Sequence, residues 1–585
     1  MPLLMERFHA IIQHALKTFI HRQTGQTITP TIQYTRPEFE GDLTVVTFPL
    51  AKLLRQNPQT IARKLGEHLQ QQLPEIDQFN IVKGFLNLKF SPQSWYNYFL
   101  YALKAPLFPR TSTPQRIVIE YSSPNTNKPQ HLGHIRNNLL GWSIAEILHT
   151  YGHHVFKVNL INDRGIHIAQ SMVAWLKYGN GTTPADAGQK GDHFVGDYYV
   201  RFAQEHKKQQ ANISDGSETP LMKHAREILR KWEAGDLQVR HIWSQMNGWV
   251  LEGFGQTYRR LGVDFHKVYF ESETYLLGKQ YVIEGLHKGI FYQKEDGSIW
   301  VRFDNDTLND KLLLRSDGTT VYITQDIGTA ALRYIDFQMD RAIYVVGDEQ
   351  KHHFKVLQHI LQQLNAPYAN AIYHLAYGMV DLPSGKMKSR EGTVVDADDL
   401  MDEMVNRART ISQQLGKTKG LSNQERQHLY HIIGIGALKF HILRNDPQRR
   451  MLFDPQESVD FFGNTGPFIQ YAYARIQSIL RKVKTIDDIP SPPRYEPNPA
   501  EIALLRSIYR LHDVFLNAVN DLSPAAIAQY GYHLAQQFNT YYHAHPVLKA
   551  EDESTRRFRL QLLQLVARAL RESMALLGIE MPQRM

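Results

Sequence analysis

Two histidines set around a glycine at the start of a helix can bind a metal, cap the helix, or donate to phosphate oxygens. Residues 121–134 read YSSPNTNKPQHLGH, with His131 and His134 flanking Gly133 and Lys128 three residues upstream. A thiolate-completed zinc shell is excluded because the 585-residue chain contains no cysteine, and the neighbouring carboxylates lack ligand spacing. Capping by the histidines stays open. So does phosphate binding, with Gly133 allowing close approach, the helix N-terminus contributing donors and Lys128 adding a mobile positive charge. The stretch is neither a P-loop nor a GxGxxG fingerprint.

The elements that must hold this stretch are legible on either side of it. RIVIEY, a β-branched run, precedes it, and IRNNLLGWSIAEILHTYG follows with apolar residues at helical spacing. That makes a strand-to-helix connection, the place where parallel sheets bind ligands. HHVFKVNLI predicts a second strand, ending in Asn162, Asp163, Arg164 and Gly165. YITQDIGTAALRYIDFQ, RAIYVVGDEQKHHFKVLQHILQQL and AIYHLAYGMV continue the alternation, which predicts an open, largely parallel α/β sheet. Residues 182–220 are polar around a helical segment and read as an insertion. Residues 297–324 read as strands at the edge of the main sheet.

Around this α/β unit the patterns change. Residues 1–112 predict a small α+β unit in which IVKGFLNLKF reads as a strand bent at Gly84. KAPLFPRTSTPQ is the linker that follows. Residues 113–400 hold the sheet, 401–420 connect, and long periodic segments across 421–585 predict a helical unit with a proline-rich loop, IDDIPSPPRYEPNPA. The formal charge of +8 permits a polyanionic partner without requiring one. No window approaches eighteen apolar residues, and the first residues lack a signal-peptide layout, so a cytoplasmic protein that does not span a membrane is expected.

HLGH resembles the first signature of the class I aminoacyl-tRNA synthetases, usually His-Ile-Gly-His. The longer SSPNTNKPQHLGHIRN resembles the arginyl-tRNA synthetase family more specifically. KGFLNL, NDRG, YITQDIGTAALR, VGDEQKHHF, GKMKSREGTVV and GNTGPFIQYAYAR follow in that family's order, nearly end to end. LTVVTF departs from the family's usual sequence after Gly-Asp. The resemblance implies a Rossmann-like catalytic unit between an N-terminal α+β unit that meets the tRNA corner and a C-terminal all-α anticodon-binding unit. It implies ATP-dependent ligation of L-arginine to the 2′-hydroxyl of the terminal adenosine of arginine tRNA through arginyl-adenylate, releasing AMP and pyrophosphate. Mg²⁺ would accompany ATP as substrate, with no tightly bound cofactor, and the chain would be a monomer.

Residue roles follow from the same resemblance. Lys128, His131, Gly133 and His134 would meet ATP, with Gly347 on the adenosine side. The second signature, usually Lys-Met-Ser-Lys-Ser, stands here as Lys386-Met387-Lys388-Ser389-Arg390. Lys386 matches its first lysine. Ser389 replaces the second, so Lys128 would compensate at the triphosphate, and Lys388 is another candidate for part of that charge. Asp326 and Tyr322, four residues apart, would hold the guanidinium of arginine. Glu120, Asn125 and Gln350 would surround its α-amino and carboxylate end. Tyr471, Arg475, Tyr541 and Arg556 are the tRNA-facing candidates.

Overall fold

The computed structural model describes residues 4–213, 217–303, 309–381, 395–416, 420–460, 462–483 and 494–585. Lys386, Met387 and Lys388, with the rest of KMKSR, lie outside the described residues.

Four antiparallel strands, β1 (Thr31–Tyr34), β2 (Leu43–Val46), β3 (Ile76–Val82) and β4 (Phe85–Phe90), form the N-terminal sheet in the order β1-β2-β4-β3. IVKGFLNLKF is therefore two strands rather than one bent strand. Lys83 and Gly84 both take positive φ, 50° and 87°, which is the two-residue turn that matches the twist of an antiparallel hairpin.

The central sheet contains β5 (Arg116–Glu120), β6 (His154–Ile161), β7 (Lys267–Phe270), β11 (Arg341–Gly347) and β12 (Ile372–Tyr377). Its order is β12-β11-β5-β6-β7 and every pairing is parallel. The chain leaves β5 toward β6 and β7, then returns to the other side of β5 to form β11. The order thus reverses between β5 and β11, which opens a crevice at the carboxyl ends of those strands.

The insertion between β6 and β7 is wholly helical among its described residues. Helices Ile166–Tyr178, Gly191–Ala211, Pro220–Glu233 and Leu237–Leu261 enclose a separate core that includes Phe194, Phe202, Trp232 and Phe254. Strands β8 (Phe291–Gln293), β9 (Ile299–Val301) and β10 (Lys311–Leu314) pair antiparallel with one another. They make a sheet of their own instead of extending the edge of the main one. The reason is burial: Val301, Leu313 and Leu314 join the apolar cluster around helix Tyr322–Phe337, which a flat edge extension would leave uncovered.

Helices Ala397–Gln414 and Asn423–Leu443 pack on helix Leu132–Thr150, which starts at the two histidines. Gly466–Leu480, Pro499–Asp521, Ala525–Ala544 and Glu553–Ala575 complete the helical part. Reciprocal capping boxes start two of the long helices, Ser422–Glu425 at Asn423–Leu443 and Asn498–Glu501 at Pro499–Asp521. One continuous apolar core runs from Phe8 through Ile135 to Met574. No helix among the described residues is long and apolar enough to cross a membrane.

Candidate active site

The crevice begins with strained backbone. Ser122 and Ser123, directly after β5, have φ of 79° and 46°, a left-handed pair that non-glycine residues seldom adopt. Side-chain amides hold it. The Ser122 N–H donates to Asn137 Oδ1 at 2.5 Å, and the Ser123 N–H donates to Asn159 Oδ1 at 3.0 Å. The next residues then run beside the end of β6. The Asn162 N–H donates to the Pro124 carbonyl at 3.0 Å and the Thr126 N–H to the Asn162 carbonyl at 3.1 Å. Asn125 is bridged to Asn162 and its side chain is exposed at the crevice mouth.

His131 and His134 form a capping box at the start of helix Leu132–Thr150. The Gly133 N–H donates to His131 Nδ1 at 3.1 Å, and the His131 N–H donates to His134 Nδ1 at 3.2 Å. The sequence left capping and phosphate binding as alternatives, but the atoms make them compatible. An Nδ1 that accepts carries no proton, so each neutral ring keeps its proton on Nε2 as a donor. Burial, and then the charge of Lys128, lowers the His131 pKa to about 4. Burial, followed by His131 and Lys128, holds His134 well below the usual imidazole range. Both rings are therefore neutral donors at physiological pH. Gly133 has a local task as well, since a Cβ there would lie 3.0 Å from the His131 ring.

Glu120 ends β5 in a buried position and pairs with the guanidinium of Arg333, which is 1% exposed. Tyr269 and Tyr344 present ring faces to that guanidinium at 5.5 and 5.1 Å. Burial pushes the Glu120 carboxyl up, and the contact with Arg333 pulls it back. Arg333 shares helix Tyr322–Phe337 with Asp326 and Tyr322. Tyr322 opens that helix with 79% of its surface exposed, and Asp326 is one turn on, with His353 Nε2 at 2.5 Å from its carboxylate. Gly347 ends β11, and Gln350 follows in a short exposed turn. The structure thus gathers Glu120, Asn125, Lys128, His131, His134, Gly347 and Gln350 at the carboxyl ends of β5 and β11, the site of the strand-order reversal.

Three contributors were not singled out from sequence. Glu271 follows β7 and lines a cleft of about 490 Å³ with Tyr322, Gln325, Arg164 and Tyr275. Its carboxylate accepts from Gln325 Nε2 at 3.2 Å, and burial raises its pKa against the opposing charge of Arg164. Its place just after a parallel strand was the available signal. Arg333 and His353 carried no such mark, because their roles depend on partners 213 and 27 residues away in sequence.

The candidates in the helical part separate by burial. Arg475 donates to Tyr471 Oη at 3.1 Å and to Asn539 Oδ1 at 2.7 Å, and its guanidinium lies 4.7 Å from the Tyr471 ring centre and 5.5 Å from that of Tyr542. Arg556 is partly exposed and pairs with Glu553 at 3.1 Å. Tyr541 must be withdrawn as a nucleic-acid contact. It is 3% exposed and donates to buried Glu501 at 3.3 Å, so no ring face is left for a base.

Comparisons with known proteins agree along the chain. Residues 101–454 match the family described as tRNA synthetases class I (R), catalytic domain. Residues 6–90 match the arginyl tRNA synthetase N terminal domain, and 469–585 match the DALR anticodon binding domain. An arginine--tRNA ligase of Bacteroides thetaiotaomicron is 50% identical over 571 residues, and one of Parabacteroides distasonis is 48% identical over 568, with 95% of each chain covered in both comparisons. The solved arginyl-tRNA synthetase of Thermus thermophilus superposes with a TM-score of 0.81 at 26% identity, covering 98% of this chain and 100% of the other.

Proposed function

The chain belongs to the arginyl-tRNA synthetases of class I, and from that membership and the site geometry we propose how its residues carry out the reaction. It joins arginine to arginine tRNA at the expense of ATP through an arginyl-adenylate. The arginine carboxylate attacks the α-phosphorus in line and expels pyrophosphate. The 2′-hydroxyl of the terminal adenosine then attacks the adenylate carbonyl and expels AMP. Neither step needs a protein nucleophile, so the chain contributes alignment and charge.

His131 and His134 donate Nε2–H to phosphate oxygens as charge develops there, and Lys128 and Lys386 add their charges for the triphosphate. A donor better matched to the transition state than to bound ATP is worth about 3–4 kcal/mol. Asp326 and Tyr322 receive the arginine guanidinium, with Glu120, Asn125 and Gln350 toward its α-carbon. Mg²⁺ bound with ATP offsets phosphate charge. Tyr471, Arg475 and Arg556 are tRNA-facing residues of the helical part. The chain works as a monomer in the cytoplasm.

The observation that carries the site assignment is the paired commitment of both Nδ1 atoms to the helix cap, which leaves two neutral Nε2 donors at the strand-order reversal. The test is charging of total tRNA with each of the twenty amino acids in the presence of ATP. Arginine alone should be incorporated, and folded protein that fails to charge it would refute the reading.

A further inference from the structure

Arg136 lies two residues past His134 on the first-signature helix, and its side chain is 0% exposed. No ion pair neutralises it among the described residues. Backbone carbonyls meet its guanidinium instead: Nη2 donates to Arg449 at 2.7 Å, Pro447 at 3.0 Å and Asp446 at 3.5 Å, and Nη1 donates to Met379 at 3.4 Å. Burial lowers its pKa to about 10, so it stays charged at neutral pH. Burying a lone cation is costly, and an apolar side chain would fill the same space without that cost. What an apolar residue cannot do is donate to carbonyls of two separate segments at once, which the guanidinium fork does.

Those segments are joined directly to each other. The Gly378 N–H donates to the Pro447 carbonyl at 2.9 Å, and the Met451 N–H donates to Met379 at 3.1 Å. Strand β13 (Val380–Asp381) pairs with β14 (Met451–Leu452). A Cβ on Gly378 would lie 2.6 Å from the backbone of Arg449 and Arg450, so the seam is in direct backbone contact. One of the two strips continues β12 through Asp381, which stands five residues before Lys386 in sequence. The other leads into the helical part.

We propose that Arg136 is a positioning residue for adenylate formation, setting the spacing between the first-signature helix and the 378–381/446–449 seam from which the second signature departs. The proposal rests on the synthetase reading above. A shift of about 1 Å in such alignment can cost of order a hundredfold in rate.

The experiment is ATP–pyrophosphate exchange with arginine and arginine tRNA on wild type, Arg136→Lys and Gly378→Ala, with arginine KM and Tm measured alongside. Wild type is assayed first, so loss of exchange there refutes the synthetase reading and not this one. Arg136→Lys keeps the charge and loses the fork. It should lower kcat by about tenfold or more while arginine KM stays within about twofold. Gly378→Ala, which wedges the seam and leaves Arg136 in place, should give the same split. Wild-type kcat in folded Arg136→Lys overturns the proposal. So does a fall in kcat that only follows lost Tm, or a failure of both variants to fold, since each marks a purely structural residue.

Discussion

The role proposed for His131 gives two jobs to different atoms of one ring. Nδ1 caps the helix and Nε2 is left to donate, so a substitution can remove one function and keep the other. Asparagine is a good N-cap with no equivalent of the Nε2 donor. His131→Asn should keep Tm within a few degrees and lower kcat for adenylate formation by about 10²–10³. Stopped-flow or exchange kinetics beside a thermal melt will separate the two effects, and a large loss of Tm would show that the ring is mainly a strut. Asp326 offers the matching test at the other substrate. Asp326→Asn keeps the shape and the ability to bond His353 but loses the charge. Loss of a charged hydrogen bond of about 1.5–3 kcal/mol should lower kcat/KM for arginine roughly ten- to a hundredfold, leaving ATP KM nearly unchanged. Unaltered arginine kinetics would remove Asp326 from the guanidinium site.

Between elements, a charged junction ties the insertion to the start of helix Ala397–Gln414. The C-terminal flank of the second signature rejoins the first through two backbone bonds, Leu132 N–H to the Val395 carbonyl at 3.1 Å and Ala397 N–H to the Gln130 carbonyl at 3.0 Å. Asp396 lies between them, capping helix Ala397–Gln414 with Oδ1. His193 of helix Gly191–Ala211 reaches Asp396 at 3.4 Å and Asp398 at 3.5 Å. Lys190 pairs with Asp192 and Asp398 in the same junction, and Arg260 adds a bond to Asp398 at 3.0 Å. The Asp398 carboxylate, and then Asp396, raise the His193 pKa above 6.5 against burial and Lys190. A raised histidine pKa means stability that is fully present below the unfolded value of about 6.5 and is lost as pH rises through the folded value. His193→Gln should therefore lower Tm most near about pH 5.5, with the gap from wild type closing toward pH 8.5. Melts across that range will check it, and a gap that widens with pH would contradict the assignment.

Over the whole molecule, nucleic-acid contact must use what the helical core leaves exposed. Tyr541 and Glu501 belong to that core, whereas Arg475 reaches the half-buried rings of Tyr471 and Tyr542. Arg475→Ala should raise KM for tRNA by about tenfold with arginine KM unchanged, through lost stacking support and charge. Tyr541→Phe should leave tRNA KM unaltered. Steady-state charging of both variants distinguishes them, and the reverse ranking would return Tyr541 to the interface.

Local order spoke clearly in this chain. The parallel sheet, the strand-to-helix turn at YSSPNTNKPQHLGH and the one-turn spacing of Tyr322 and Asp326 could be read directly, because side-chain periodicity and turn chemistry act over a few residues. Tertiary structure decided the rest. It turned IVKGFLNLKF into a hairpin, set the strands expected within residues 297–324 into a sheet apart from the main one, buried Tyr541 and gave Glu120 to Arg333. It also committed the Nδ1 atoms of His131 and His134 to the helix cap. Burial and partner choice depend on residues hundreds of positions apart meeting in space, and no periodicity within a short window records which of them will meet.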